Sequence, residues 1–151
     1  MGYMLLADYD RLPNFTAQEV VNTGGDPERM ECAQMVGIQR VRTIINRRIK
    51  LLHNGMNSGV HTSKLNVHEK GRASDFELST KDGAIDQAAI YAVFTAAITC
   101  GFNGIGVYFN GVGWSFHLDR REVAAFWIGR KAKPGAKGWT YRRMQIGCPS
   151  N

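Results

Sequence analysis

Cysteine is scarce and unpatterned in this sequence: Cys32, Cys100 and Cys148 stand far apart, with no Cys-x-x-Cys pair. Such usage excludes a disulfide framework and a cysteine zinc knuckle, and it suits reduced, mostly buried thiols. A long apolar run is also missing. The most apolar stretch, Ala84 to Phe102, is broken by Asp86, Gln87 and threonines, which fits a buried helix and excludes a transmembrane span. The opening residues, Met1 to Phe15, have no basic lead, no sustained apolar core and no small-residue cleavage site. No secretory signal is read there, so synthesis in a cytoplasm is expected. Acidic residues are the minority charge, 13 against 19 Lys plus Arg, and the resulting +6 favours an anionic partner. Nucleic acid, a membrane surface and an acidic polymer such as bacterial cell wall all qualify. The length, 151 residues, with 44% hydrophobic and 21% charged residues, predicts one ordinary domain (1–151) able to bury a core. No linker divides it.

Local signals place the elements. Thr16 and Glu19 form a capping box, flanked by Phe15 and Val20 as a hydrophobic staple, so a short helix is expected to start there and stop at Thr23-Gly24-Gly25. Asp26-Pro27 reads as a cap followed by proline at the first helical position, opening a longer helix whose apolar face includes Met30, Met35, Ile38, Val41 and Ile45. A strand near Ile49 runs into Asn-Gly and Ser-Gly loops, and His53 at its end reads as a core or edge histidine. The polar stretch from Thr62 to Arg72 reads as a surface loop. Ala73 to Leu78 alternates as a half-buried strand, with Asp75 and Glu77 on one face. Ala84 to Cys100 reads as a core helix closed by Gly101. Gly104 to Tyr108 and Val112 to Asp119 flank Asn110-Gly111, a hairpin signal. One more apolar run, Val123 to Ile128, precedes a basic C-terminal segment (129–151) containing Trp139 and Tyr141, so the core is expected to span about 15–128.

The chain has four histidines, and two stand in informative settings. In Asn66-Val67-His68-Glu69-Lys70-Gly71-Arg72-Ala73-Ser74-Asp75 a histidine precedes an aspartate by seven positions; in Trp114-Ser115-Phe116-His117-Leu118-Asp119 another sits on an alternating strand. Two imidazoles and a carboxylate suit zinc, and three protein ligands leave a fourth position for water, as catalytic sites do. Bound zinc lowers the pKa of that water towards neutrality. Strand alternation puts Ser115, His117 and Asp119 on one face, so Asp119 is a general base, a partner that orients the His117 ring, or the acid of a structural salt bridge to Arg120 or Arg121.

The first segment resembles the Ser-x-His-x-x-Gly-x-Ala-x-Asp motif of the zinc peptidases that include D-alanyl-D-alanine carboxypeptidases and phage L-alanyl-D-glutamate endopeptidases, whose fold is shared with the hedgehog signalling domain. The second is similar to their His-x-Asp or His-x-His motif, and the order of elements agrees from about Phe15 to Trp127. The resemblance implies an α+β fold with helices packed on a small antiparallel sheet and a single zinc site, with His68, Asp75 and His117 as the metal ligands. Three departures are visible. Asn66 replaces the motif's serine. Ser58-Gly59-Val60-His61 stands where the family has Ser-Gly-Tyr-Arg, leaving His61 or Arg72 to polarise the scissile carbonyl. Trp114 occupies the position where some relatives carry an acid, which leaves Asp119 as the base candidate.

The function implied is a zinc metallopeptidase (a hydrolase) cleaving peptidoglycan stem peptides. With no signal read, the expected setting is a bacteriophage or prophage endolysin that reaches the cell wall through a holin-type partner or on a virion. A non-catalytic zinc-binding domain of the same fold, with a structural or wall-binding role, is the alternative. Specific nucleic-acid binding is not expected, because helix-turn-helix and zinc-finger signatures are missing, although the segment from Arg130 to Arg143 mixes basic and aromatic residues as such surfaces do. Glu77 reads as a solvated strand residue, and Tyr108 and Trp114 as packing aromatics that can also line a cleft.

Overall fold

The computed structural model describes residues 2–57 and 66–144. Among these, helices α1 (Ala17–Asn22), α2 (Cys32–Ile45) and α3 (Gln87–Thr99) accompany strands β1 (Ile49–Leu51), β2 (Ala73–Leu78), β3 (Gly104–Phe109), β4 (Trp114–Asp119), β5 (Ala125–Arg130) and β6 (Thr140–Met144). The strands make one sheet in the order β1-β2-β4-β3-β5-β6, so the α+β class holds. The expected all-antiparallel sheet needs correction at one pair: β3 and β5 run parallel. The cause is the short connection after β4, which crosses the start of β3 and brings β5 to its far side. Asn103 pins that crossing, donating from Nδ2 to the Arg121 carbonyl (3.0 Å) while its own carbonyl accepts from the Ala125 N–H (2.8 Å).

The two sheet faces differ sharply. Phe76, Leu78, Ile105, Val107, Phe116 and Leu118 point to one side and form the core with Met35, Ile38 and Val41 of α2 and Val93, Ala96 and Ala97 of α3. Strand alternation therefore sends Asp75, His117, Asp119, Tyr108 and Trp127 to the other face.

Local chemistry accounts for most helix ends. Thr16 Oγ1 accepts from the Glu19 N–H (3.2 Å) while Glu19 accepts from the Thr16 N–H (2.8 Å), and Phe15 and Val20 are buried beside this reciprocal cap. Asp86 caps α3 through the Ala89 N–H (2.9 Å), so the helix begins at Gln87 rather than Ala84. It closes at Gly101, whose φ is +77°. The segment after Pro27 departs from expectation. It makes only a 3₁₀ turn, Pro27–Arg29, and α2 starts at Cys32. The N-terminal residues draw the intervening backbone extended: the Met4 N–H donates to the Met30 carbonyl (2.8 Å) and the Cys32 N–H to that of Gly2 (3.1 Å).

Both ends of the expected core also extend. Met4 and Tyr9 are buried ahead of Phe15. The basic C-terminal segment supplies β6, which pairs with β5 from Phe126↔Met144 to Arg130↔Thr140. Its residues are largely exposed, so no apolar alternation advertises the strand. His53 lies exposed in the turn after β1 rather than in the core. Trp114 falls on the helix-facing side, 4.8 Å from Phe109 between ring centroids, and so takes no part in the face that carries His117. Cys32 and Cys100 are free thiols; Cys148 lies outside the described residues.

Candidate metal centre

The antiparallel register of β2 and β4 sets Asp75 directly opposite His117. His68 arrives from a tight turn before β2, in which the Lys70 N–H donates to the Asn66 carbonyl (3.1 Å), Gly71 to His68 (2.8 Å) and Arg72 to Val67 (2.9 Å). Two residues of that turn adopt left-handed backbone, Asn66 at φ +48° and Gly71 at φ +68°. Asparagine tolerates this region better than most residues, which suits Asn66 to its place in the turn. Ala73, fully buried at the head of β2, pairs with Asp119 of β4.

Three ligand atoms converge here. His68 Nε2 lies 3.2 Å from His117 Nδ1 and 3.7 Å from Asp75 Oδ1, and His117 Nδ1 lies 2.7 Å from Asp75 Oδ1. Tetrahedral zinc with bonds of about 2.0–2.1 Å separates its ligand atoms by roughly 3.3 Å, so the group fits an ion with only a slight parting of His117 and Asp75. The histidines are nearly buried, while the Asp75 side chain is 31% exposed and leaves one side open. Each distal ring nitrogen is held. His68 Nδ1 donates to the Met56 carbonyl (2.7 Å), which presents an unprotonated Nε2 to the centre. His117 Nε2 donates to Asp119 Oδ2 (2.7 Å) and presents Nδ1. The Met56 carbonyl is delivered by a strap that crosses the edge of β2, where the Asp75 N–H donates to Gly55 (2.6 Å). A Cβ at Gly55 would lie 2.8 Å from that of Asp75, so only glycine permits the approach.

Electrostatics follow from the same contacts. Burial pushes the His117 imidazolium down, but hydrogen bonds to Asp119 and Asp75 outweigh it and raise its pKa from 6.5 to about 9 in the metal-free protein. Burial likewise pushes the Asp119 carboxyl up, and hydrogen bonds from Arg121 and His117 overcome it, holding it far below the usual carboxylate range.

Asp119 has no exposed surface and accepts from His117 Nε2, from the Arg121 N–H (3.0 Å) and from the Arg121 guanidinium through Nε (2.8 Å) and Nη2. These contacts occupy the roughly four acceptor sites of a carboxylate. Asp119 also stands at the ring nitrogen remote from His68 and Asp75, so the geometry suits orientation of His117 better than deprotonation of water. Asp119→Asn is expected to weaken zinc binding roughly tenfold to a hundredfold. A chelator competition run beside a hydrolysis assay separates the two roles, because a lost base removes turnover and leaves zinc affinity unchanged.

Arg72 lies beside the centre, but its Nε donates to Glu31 Oε1 (2.8 Å). His61 lies outside the described residues. Glu77 remains on the Asp75 face of β2, half-buried.

Tyr108 and Arg121 stand near the centre as the sequence allowed, whereas the roles of Gly104, Gly106, Gly129 and Trp127 were not anticipated from it. A Cβ at Gly104 would collide with the Asp119 carboxylate, one at Gly106 would lie 2.6 Å from the Trp127 indole, and one at Gly129 would lie 2.6 Å from the Tyr108 ring. These glycines make room for the side chains that frame His117. Trp127 tilts against the His117 ring at 5.3 Å between centroids, Arg121 stacks on Trp127 at 4.7 Å, and Trp127 Nε1 donates to the Tyr108 hydroxyl (2.7 Å). The alternation Gly104-x-Gly106-x-Tyr108 was the available signal, since glycine repeated on one face of a strand marks a close approach. No helix among the described residues is long and apolar enough to cross a membrane. In comparisons with known proteins, the chain matches no family model, no curated protein and no solved structure.

Proposed function

We propose that this protein is a zinc-dependent peptidase that cleaves peptidoglycan stem peptides. The observation that carries the reading is the convergence of His68, Asp75 and His117, each histidine with its distal nitrogen hydrogen-bonded and one side left open at Asp75. These are the residues that the motif resemblance assigns as ligands. Zinc bound there supplies a Lewis acid for an amide carbonyl and acidifies water. The chain's own groups do the rest. The Met56 carbonyl and Asp119 hold the distal nitrogens of His68 and His117 and so turn Nε2 of the one and Nδ1 of the other to the centre, and Asp119 with Arg121 keeps the His117 ring in place. The Tyr108 hydroxyl accepts from Trp127 and keeps its own proton for donation; burial pushes its pKa up, so it stays a neutral donor suited to a developing oxyanion. In this reading the protein acts at the cell wall, as a phage or prophage lysin released through a holin-type partner or carried on a virion.

One observation favours a second reading, a non-catalytic zinc-binding domain. Asp119 is saturated and Arg72 is tied to Glu31, so neither named residue is free to act on substrate. Muropeptide mass spectrometry on purified peptidoglycan separates the two. New fragments are expected with the zinc-loaded protein and not with His68→Ala or added chelator, and the mass lost identifies the bond. Unchanged muropeptides from a protein shown to hold zinc would sink the peptidase and leave the binding domain.

A further inference from the structure

A cleft of about 960 Å³ opens on the same sheet face, beside the metal centre and sharing Trp127 with it as a wall. It runs from the 66–71 turn past the loop after β4 to the exposed edge at β6. Its charged lining is five cations, Lys70, Arg72, Arg120, Arg121 and Arg143, against the single carboxylate Glu122. Two of those cations are neutralised within the fold, Arg72 by Glu31 and Arg121 by Asp119. Arg120 is taken up as well: its guanidinium lies over the Phe102 ring on the helix side and donates to the carbonyls of Ala33 (3.1 Å), Cys100 (3.0 Å) and Gly101 (3.2 Å). The side chains of Lys70 and Arg143 have no hydrogen-bond or ion-pair partner among the described residues. Two unpartnered cations, Lys70 and Arg143, therefore face one acid in a concave, partly apolar site. Such an excess of one charge in a cleft with low-dielectric walls selects an anionic ligand.

We propose that this cleft binds an acidic peptide, with Lys70 and Arg143 engaging its carboxylates. The proposal deepens the peptidase reading and rests on it for which peptide is bound. The strand register supplies the ruler. Asp75, His117, Gly106, Trp127 and Arg143 lie in one row across β2, β4, β3, β5 and β6. Three strand spacings separate His117 from Arg143, about 14 Å at roughly 4.8 Å each. Extended peptide covers that span in about four residues, and the reach of an arginine side chain shortens it further. A peptide with one group at the metal centre thus carries its carboxylate to Arg143 some two to four residues away. Lys70, in the turn that holds His68, serves an acid close to the metal. Arg121 stacked on Trp127 and the ring of Tyr141 provide the apolar floor between them. A nucleic-acid duplex fits poorly, because its affinity comes from many phosphate contacts spread over a larger surface than two free cations in one cleft.

Isothermal titration of the zinc-loaded and chelator-treated protein with the C-terminally amidated pentapeptide Ala-Glu-Ala-Ala-Glu, beside its Ala-Gln-Ala-Ala-Gln counterpart, tests this. The acidic peptide is expected to bind at least about tenfold more tightly, with the preference lost in Lys70→Ala/Arg143→Ala and kept in Arg130→Ala, whose exposed arginine lines the opposite face. Equal binding of the two peptides, or a preference surviving in the double variant, overturns the proposal. Tighter binding of a six-nucleotide oligothymidylate than of the acidic peptide does so too and assigns the cleft to nucleic acid. Muropeptide release keeps the two ideas apart. Acid preference without release retains the cleft and removes the peptidase, whereas full release by the double variant with equal peptide binding removes the cleft and retains the peptidase.

Discussion

Replacing His117 with alanine is expected to lower zinc affinity by about a thousandfold, since one of three protein ligands disappears and each supplies about 3–4 kcal/mol of a typical zinc binding energy. The loss reaches beyond one nitrogen. His117 is the ring on which Asp75, Asp119 and Trp127 converge, so its removal also frees Asp75 from the contact that aims it. Competition against a chromophoric chelator measures the change, with His53→Ala as the control for an exposed histidine outside the centre. Affinity within threefold of the parent would disprove the assignment of this centre. The native protein should also show a pH signature. Metal-free His117 holds its second proton up to about pH 9, and zinc must displace that proton from Nδ1. Apparent affinity is therefore expected to climb about tenfold per pH unit from pH 6.5 and to flatten above about 9. The sign for folding is opposite. A pKa raised from 6.5 to about 9 gives the metal-free protein a stabilisation that is full below pH 6.5 and lost as pH rises through 9.

Gly71→Ala is expected to destabilise the protein by about 3 kcal/mol or more and to weaken zinc binding with it. Two effects add. A left-handed φ of +68° disfavours alanine by about 1–2 kcal/mol. Beyond that, the new Cβ would collide with the Arg29 carbonyl oxygen and lie 2.9 Å from Met30 Cα, both parts of the backbone and slow to yield. The Glu31 N–H donates to the Gly71 carbonyl (3.0 Å), so relief of the clash breaks a contact that anchors the His68 turn to the start of α2. Gly138→Ala isolates the first effect, because that residue has φ +81° and open space around it. Urea unfolding of both variants at unchanged m-value should separate them by about 2 kcal/mol. Near-equal midpoints would mean that the turn gives way and that the close approach is not a constraint.

Much of this was legible in the chain because the relevant physics is local. The Thr16 and Glu19 cap, the Gly101 stop, the alternation of β2 and the Asn110-Gly111 hairpin are each written within a few residues, and each stands where expected. The three ligand candidates were legible too. Their spacing follows from a turn leading into a strand, and the structure draws them together. The extended backbone at Met30 was not, since its cause is pairing with Met4, 26 positions earlier. Nor was β6, an edge strand without an apolar face, or the parallel placement of β5, which depends on Asn103 holding the loop after β4.

The sequence by itself therefore determined the class of the fold, the cationic excess and the residue types that make up the candidate metal centre. Only the tertiary structure decided how that centre is framed. Asp119 became a saturated partner of His117 and Arg121, Arg72 was taken up by Glu31, Trp114 turned to the helix side, and Lys70 with Arg143 was left unpaired across a cleft. Periodicity and caps arise between neighbours along the chain. The partner of a charge, the face a strand presents and the glycine over which a long side chain lies depend on strand order and register, which join residues that sequence spacing keeps apart.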